Sequence, residues 1–317
     1  MADILGPDWD ARVIPLPPDA EGPVVATLVH RPGPPVHRRA VLYVHGFVDY
    51  FFQTHLAREW EQRGYSFYAL DLRKYGRSLL PHQTPNFCLD LAEYDGDLDA
   101  AISILRDEFG HDVVVLMAHS TGGLVASLWA NKRRKANPID ALVLNSPWFD
   151  LNGTRFERTL GTWFVNTVGA MAPRLGVSDL GDHYGRSLHV STGGKWDYDL
   201  DLKPLNGFPV LAGWVRAIRL GHAELHRGLD IACPALVCTS TASGPNRRWH
   251  AAIDKTDSVL NVADIAAQSI KLGRIVTLVR IENGIHDLTL SSEPARSRFF
   301  SEVFRWAEAY VPGERRP

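Results

Sequence analysis

Residues 113–123 read Val-Val-Val-Leu-Met-Ala-His-Ser-Thr-Gly-Gly. The apolar run Val113–Ala118 is the most hydrophobic in the chain, as expected of a strand buried on both faces. Gly122–Arg134 then reads as a helix. Its basic run Lys132–Lys135 falls in the last turn, where positive charge suits the helix dipole. Ser120 therefore sits on a tight strand-to-helix turn, with its hydroxyl pushed out at the carboxyl end of the strand. Small residues two before and two after it, Ala118 and Gly122, let the turn bring backbone against backbone. The usual pattern is G-x-S-x-G, and Ala118 replaces its first glycine. Taken alone, the serine could be a simple helix N-cap. The strand–turn–helix setting favours an activated nucleophile.

An alternation of strands and helices extends on both sides. Ala40–Val44 reads as a buried strand and Thr54–Arg63 as a helix, with Thr54 as N-cap and Gly64 as stop. Tyr65–Leu72 follows as a strand, then Leu89–Phe109 as one long amphipathic helix closed by Gly110. Ala141–Asn145 is another strand. The rhythm stops at Ser146 and resumes near Arg227, with no clear strand–helix pairing between. It continues with the strand Ala235–Thr239, a helix near Ala263–Leu272, the strand Ile275–Ile281 and a last helix Pro294–Tyr310. Upstream, eight prolines among the first forty residues flank two short β-like runs, Arg12–Leu16 and Val24–His30, which fit edge strands. Alternating strands and helices imply a mostly parallel sheet covered on both faces.

At 317 residues, the chain can bury a large core without disulfides or metals. Its 34 basic and 36 acidic residues leave a net charge of −2, so no general attraction to nucleic acid is expected. Cys88, Cys233 and Cys238 are too few for a disulfide framework and read as buried thiols in a reducing compartment. Met1–Asp10 lacks the basic and apolar regions of a secretory signal. No stretch approaches the roughly 18 apolar residues that span a bilayer. A soluble, cytoplasmic protein without stable membrane insertion is the expectation.

A serine hydroxyl needs a base to attack near neutral pH. Among thirteen histidines, His286 stands out, because it follows the last long strand in Asn283-Gly284-Ile285-His286-Asp287 and so reaches the sheet edge that carries Ser120. The base in turn needs a carboxylate, expected in the loop after Ala235–Thr239. Asp257 is favoured there, since Val259-Leu260 can anchor it. Asp254 is the reserve and Asp150 a third candidate. The oxyanion of acyl transfer needs backbone donors: the N–H of Thr121, and that of Phe47 after the turn residue Gly46. His119 adjoins the nucleophile but should point another way. His222 and His226 share a helix face without the order or third ligand of a zinc site, so neither metal nor cofactor is expected.

The segments HGF (45–47), DLRKYGRS (71–78), AHSTGG (118–123), DKTDSVL (254–260) and GIHD (284–287) resemble those of the α/β-hydrolase superfamily. They are most similar to its branch of monoacylglycerol lipases, lysophospholipases and serine aminopeptidase-like hydrolases. Lys74 stands where that branch has its first glycine in the second segment. The resemblance covers about residues 40–147 and 228–310. It implies an α/β-hydrolase fold with an eight-stranded sheet, an antiparallel second strand and a cap inserted after the sixth. On that basis residues 1–147 and 228–317 form the core and 148–227 the cap.

The cap holds four of the nine tryptophans, Trp148, Trp163, Trp196 and Trp214. Aromatic surface over a catalytic serine suits an acyl chain or aromatic ester, although any one such ring more often belongs to the cap's own core. Trp148, Trp163 and His119 are the candidates for contacting substrate, and 162–172 reads as an amphipathic cap helix. The expected activity is a serine carboxylic-ester hydrolase acting on a small-molecule ester. An aminopeptidase-type enzyme would need cap carboxylates for a substrate ammonium, from Glu157, Asp179, Asp182, Asp197, Asp199 or Asp201. A non-catalytic ligand-binding protein is the remaining reading.

Overall fold

The computed structural model describes residues 2–151, 168–178, 181–245 and 248–313. The strands are β1 (Ala2–Asp3), β2 (Gly6–Asp19), β3 (Gly22–His30), β4 (Arg39–Val44), β5 (Tyr65–Asp71), β6 (Val113–His119), β7 (Ala141–Asn145), β8 (Gly176–Ser178), β9 (Val210–Leu211), β10 (Ala235–Ser240) and β11 (Val276–Ile281). The helices are α1 (Thr54–Glu61), α2 (Asp95–Ser103), α3 (Ser120–Lys132), α4 (His183–Leu188), α5 (Ala212–His226), α6 (Val262–Ser269) and α7 (Ala295–Tyr310). The main sheet runs β1-β2-β3-β5-β4-β6-β7-β10-β11, with β8 and β9 paired apart from it. From β5 to β11 every pairing is parallel, whereas β3 is antiparallel to both β2 and β5. The sheet thus has eight substantial strands, with the second antiparallel, and the two-residue β1 extends its edge.

The strands read as unbroken apolar runs because both faces are covered. Alternate residues Leu42, Leu116, Leu144 and Val237 pack with Leu98, Leu124, Trp129 and Ile218 on one face. Val41, Val115, Met117, Val143 and Leu236 pack with Trp60, Phe299 and Phe304 on the other. Strand order reverses at β4, which lies between β5 and β6, although β5 follows β4 in the chain. Chain segments leaving neighbouring strand ends diverge at such a switch point and open a crevice. Ser120 follows β6 and the loop 45–49 follows β4, so both stand at that crevice.

Several boundaries differ from the sequence reading. The proline-rich strands run much longer than Arg12–Leu16 and Val24–His30; Pro15 sits in register with Val25 near the sheet edge. Thr54 is the first residue of α1 rather than its cap, which is Gln53. Leu89–Phe109 is three pieces: a 3-10 turn at Leu91–Tyr94, then α2, then a π-helical turn at Ile104–Glu108. Asp90 starts the first piece with a capping box, its side chain accepting from Ala92 N while Glu93 Oε1 accepts from Asp90 N. The third piece ends with Phe109 N donating to Ile104 O, five residues back. The helix read as Gly122–Arg134 starts two residues earlier, at Ser120 itself.

The described residues between β7 and β10 form an insertion over the sheet's carboxyl end. It has more structure than the sequence suggested: the β8–β9 pair, α4, and the fifteen-residue α5. Helix α5 packs directly on the nucleophile helix. A Cβ on Gly221 would lie 2.6 Å from Leu91 Cδ1 and 3.1 Å from Leu128 Cδ1, so any larger residue would push these leucine side chains aside. Most of the expected cap helix 162–172, and Trp163 with it, lies outside the described residues.

Candidate active site

Ser120 has φ +52°, the left-handed region that a side chain enters at a cost of about 1 kcal/mol or more. The surrounding packing enforces it. A Cβ on Gly122 would come within 2.2 Å of the His45 carbonyl oxygen, and one on Gly123 within 2.7 Å of Pro147 Cβ. The two glycines let α3 start hard against the ends of β4 and β7. The Ser120 carbonyl accepts from Trp148 N at 2.9 Å, tying the turn to the loop after β7. The result is a buried serine whose hydroxyl leaves the sheet edge.

His286 Nε2 lies 3.0 Å from Ser120 Oγ, across 166 positions of sequence. His286 Nδ1 lies 3.0 Å from Asp257 Oδ2. The carboxylate accepts at Oδ2, so Nδ1 carries the proton and Nε2 is free to accept from the serine. Asp257 is fully buried, and its other oxygen accepts from Val259 N at 2.9 Å and Leu260 N at 2.7 Å. Its backbone is fixed as well, with Asp257 N donating to Ala242 O and Gly244 N to Asp257 O. Asp254 is exposed. Asp150 faces Arg219 at 3.5 Å and His226 at 3.8 Å. Neither alternative acid joins the line of three.

The loop 45–47 lies against the same turn, since a Cβ on Gly46 would be 3.0 Å from Ser120 Cβ. His45 locks this loop: Leu72 N donates to its Nε2 and its Nδ1 donates to Gly46 O. Thr121 lies in the first turn of α3, where a helix offers its amides no acceptor, and no side chain caps that end. Phe47 follows Gly46 and Thr121 follows Ser120, so both amides belong to the two turns that lie against one another. The Phe47 ring stacks on Trp214 of α5 with centroids 3.9 Å apart, and Trp148 lies 5.7 Å from Trp214. Trp148 therefore belongs to an aromatic cluster with Phe47 and Trp214 that packs on the main core.

His119 is buried beside the base. Its ring lies 4.8 Å from that of His286 and its Nδ1 donates to Asn145 O at 3.0 Å. Burial holds its pKa below the ordinary histidine value, against the pull of Asp287. It packs on His286 and on the turn at Gly46, where a Cβ would lie 3.3 Å from its Cδ2. His222 and His226 donate from Nε2 to the carbonyls of Trp148 and Phe149, each at 2.9 Å. Among the described residues no cluster of three or more His, Cys, Asp or Glu side chains could hold a metal ion.

Sequence reasoning missed a second polar layer. Asp287, next to His286, is buried and does not orient the imidazole. Its carboxylate instead accepts from Asn145 Nδ2 at 2.7 Å, Gln53 Nε2 at 3.2 Å, and Thr289 N and Oγ1 at 2.9 and 2.7 Å. Burial opposes its charge, but His119 and the Thr289 and Asn145 bonds outweigh that, so its pKa lies below the usual carboxylate value. Asn145 was legible only as the end of a strand. Its neighbours come from loops far along the chain and leave no local signal.

This geometry can perform nucleophilic acyl transfer: a nucleophile on a strained turn, a base in the correct tautomer, a buried carboxylate behind it, and backbone amides beside it. The chain aligns over 91 residues at 35% identity with mouse epoxide hydrolase 4, covering 28% of this chain and 23% of that protein. Its structure is similar to a soluble variant of monoglyceride lipase from Saccharomyces cerevisiae (TM-score 0.70, 14% identity, 96% of each chain covered). It also resembles a monoacylglycerol lipase from Paleococcus ferrophilus (TM-score 0.63, 17% identity, 87% of this chain and 96% of that one). The esterase Est1E of Butyrivibrio proteoclasticus, with bound ferulic acid, is more distant (TM-score 0.56, 16% identity, 95% and 99% covered). Residues 35–244, from just before β4 to just after β10, match the serine aminopeptidase S33 family, and the chain belongs to that family of α/β-hydrolases.

Proposed function

We propose that the protein is a serine carboxylic-ester hydrolase. The continuous buried line Ser120 Oγ, His286 Nε2, His286 Nδ1 and Asp257 Oδ2, with both junctions at 3.0 Å, carries the reading. Ser120 attacks the ester carbonyl while His286 takes its proton. Asp257 holds the tautomer and steadies the imidazolium. The Phe47 and Thr121 amides hold the oxyanion. The tetrahedral intermediate collapses, His286 returns the proton to the departing alcohol, and an acyl-serine remains. Water then attacks with His286 again as base, releasing the acid. Ser120 stands at the nucleophile position, which speaks against the aspartate chemistry of epoxide opening in this fold.

The family's description keeps peptidase activity as the second reading. Three observations favour the ester. The aromatic cluster of Phe47, Trp148 and Trp214 puts apolar surface next to the turn of the nucleophile, which suits an acyl or alcohol group better than a substrate ammonium. Of the cap carboxylates considered for a substrate ammonium, Asp197, Asp199 and Asp201 are exposed and Asp182 faces Arg186 and His183 at 3.6 Å; Glu157 and Asp179 lie outside the described residues. The similar structures are named as lipases and esterases. Residues 148–227 act as the cap in this reading, between core segments 1–147 and 228–317. Three buried free thiols fit a cytoplasmic setting.

Fluorophosphonate labelling with peptide mapping tests the core of this assignment. Modification is expected at Ser120 and absent in Ser120→Ala, with ester turnover down about 10⁵-fold. Full turnover by Ser120→Ala would overturn the assignment. Parallel assays on p-nitrophenyl esters and aminoacyl anilides separate the two substrate classes, and faster anilide turnover would establish the peptidase. Stoichiometric labelling without multiple turnovers would point to a ligand-binding protein.

A further inference from the structure

The insertion is fastened to the two loops that frame the site, and one fastening reaches the loop of the base itself. Tyr184, in the short α4, places its hydroxyl 2.9 Å from the backbone N–H of Asp287, which donates to it. Its ring stands edge-on to His286 with centroids 5.8 Å apart. His119 packs on His286 as well, at 4.8 Å, so the imidazole contacts one aromatic ring from the core and one from the cap. Burial and the Asp287 carboxylate push the Tyr184 pKa well up, which keeps the hydroxyl protonated.

From these contacts we infer that Tyr184 is a positioning residue, through which the cap holds the His286–Asp287 backbone so that the imidazole spans Ser120 and Asp257. The inference rests on the ester-hydrolase reading and goes beyond it, because it makes a cap residue part of the machinery. Ordinary cap attachment lies next to it. Asp199 N donates to Tyr50 OH at 2.8 Å, Trp196 Nε1 to Leu290 O at 2.9 Å, and Lys203 Nζ lies 2.5 Å from Asp49 Oδ1. The stretch 184–203 is thus a fixed arm of the cap. Among these contacts only that of Tyr184 bonds the residue next to the base.

The Asp199–Tyr50 bond supplies a matched control, since it too is a backbone amide donating to a phenol between cap and core. Tyr184→Phe removes the acceptor and keeps the ring, leaving a buried amide unsatisfied beside His286. The expected result is a kcat about tenfold lower on a short p-nitrophenyl ester, with KM within about twofold. A looser imidazole spends less time between Ser120 and Asp257, so the loss falls on kcat while substrate binding is kept. The rate of fluorophosphonate labelling, which needs the same base, should fall in parallel. Tyr50→Phe should keep the parent kcat and labelling rate. Parent-like kcat and labelling rate in Tyr184→Phe would overturn the inference, as would equal losses in both variants. Ser120→Ala, run alongside, separates the two failures: if it is inactive while Tyr184→Phe is silent, the ester-hydrolase reading stands and only the positioning role falls.

Discussion

Asn145 Nδ2 donates to Asp287 Oδ1 over 2.7 Å, and Asn145 Oδ1 accepts from Leu288 N at 3.2 Å. One amide side chain at the end of β7 therefore holds both residues that follow His286. Asn145→Ala removes a donor from a buried carboxylate and an acceptor from a buried amide. Leaving such groups unpaired costs about 2–4 kcal/mol. Urea unfolding should show a loss of that size, with kcat also lowered. An unchanged midpoint and kcat would mean that the loop is held without Asn145.

Three aspartates near the base should separate cleanly by kcat. Asp257→Asn leaves the packing in place but favours the wrong imidazole tautomer, so kcat should fall about 10⁴-fold. Asp287→Asn disturbs the layer behind His286 and should cost about ten- to a hundredfold, with lowered stability, because its amide cannot accept every bond the carboxylate now accepts. Asp254 is exposed, and Asp254→Asn should match the parent. Equal losses in Asp257→Asn and Asp287→Asn would reopen which acid orients the base.

What could be read from the sequence divides along physical lines. The turn at Ser120 was legible because its requirements are local: an apolar strand before it, small residues around it and a helix after it. His286 followed from chain order once Ser120 was placed. For Asp257 over Asp254 the sequence offers only the apolar pair Val259-Leu260, able to anchor a loop; in the structure the Asp257 carboxylate accepts from both of those amides. Tyr184, Asn145 and Gln53 were invisible, since each acts on the Asp287 region across 103 to 234 positions and no spacing records that. The breaks within 89–109 escaped for another reason. Apolar periodicity reports which side of a helix is buried, not whether a carbonyl receives its bond from three, four or five residues on. Helix α5 was obscured by Gly213 and Gly221, which lower helix propensity yet sit close against Pro173 and Leu91.

The proline-rich N-terminal hairpin predicts a pH-dependent stability. Burial would raise the Glu21 carboxyl, but Lys74, together with Thr84 hydroxyl and amide donors, outweighs it and holds the pKa at about 2. In the unfolded chain that carboxyl titrates near about 4.3. Between the two values the unfolded state binds more protons, so stability falls as pH drops through this window. Glu21→Gln should be less stable than the parent at pH 7. The difference should shrink as pH falls from about 4.5 and vanish near 2. A difference independent of pH over that range would show that Glu21 acts through packing and not through its charge.

Gly122→Ala sets helix propensity against space. Inside a helix the change should stabilise by about 1 kcal/mol. At this position, however, the new Cβ would lie 2.2 Å from His45 O, 3.1 Å from His45 C and 3.1 Å from Val44 O, all backbone atoms at the end of β4. Backbone in a sheet pinned on both sides cannot swing away as a flexible side chain would, so the overlap wins. Relief requires α3 to retreat from β4, which moves Ser120 and the Thr121 amide relative to the loop carrying Phe47. Activity should therefore fall at least about a hundredfold, as expected when one oxyanion donor is lost, and Tm should fall with it. Gly176→Ala is the control, because a Cβ there meets nothing within 4 Å, and it should stay within about 0.5 kcal/mol of the parent. If Gly122→Ala matched that control in both Tm and kcat, close contact between the nucleophile turn and the His45 carbonyl would not be what sets the oxyanion donors in place.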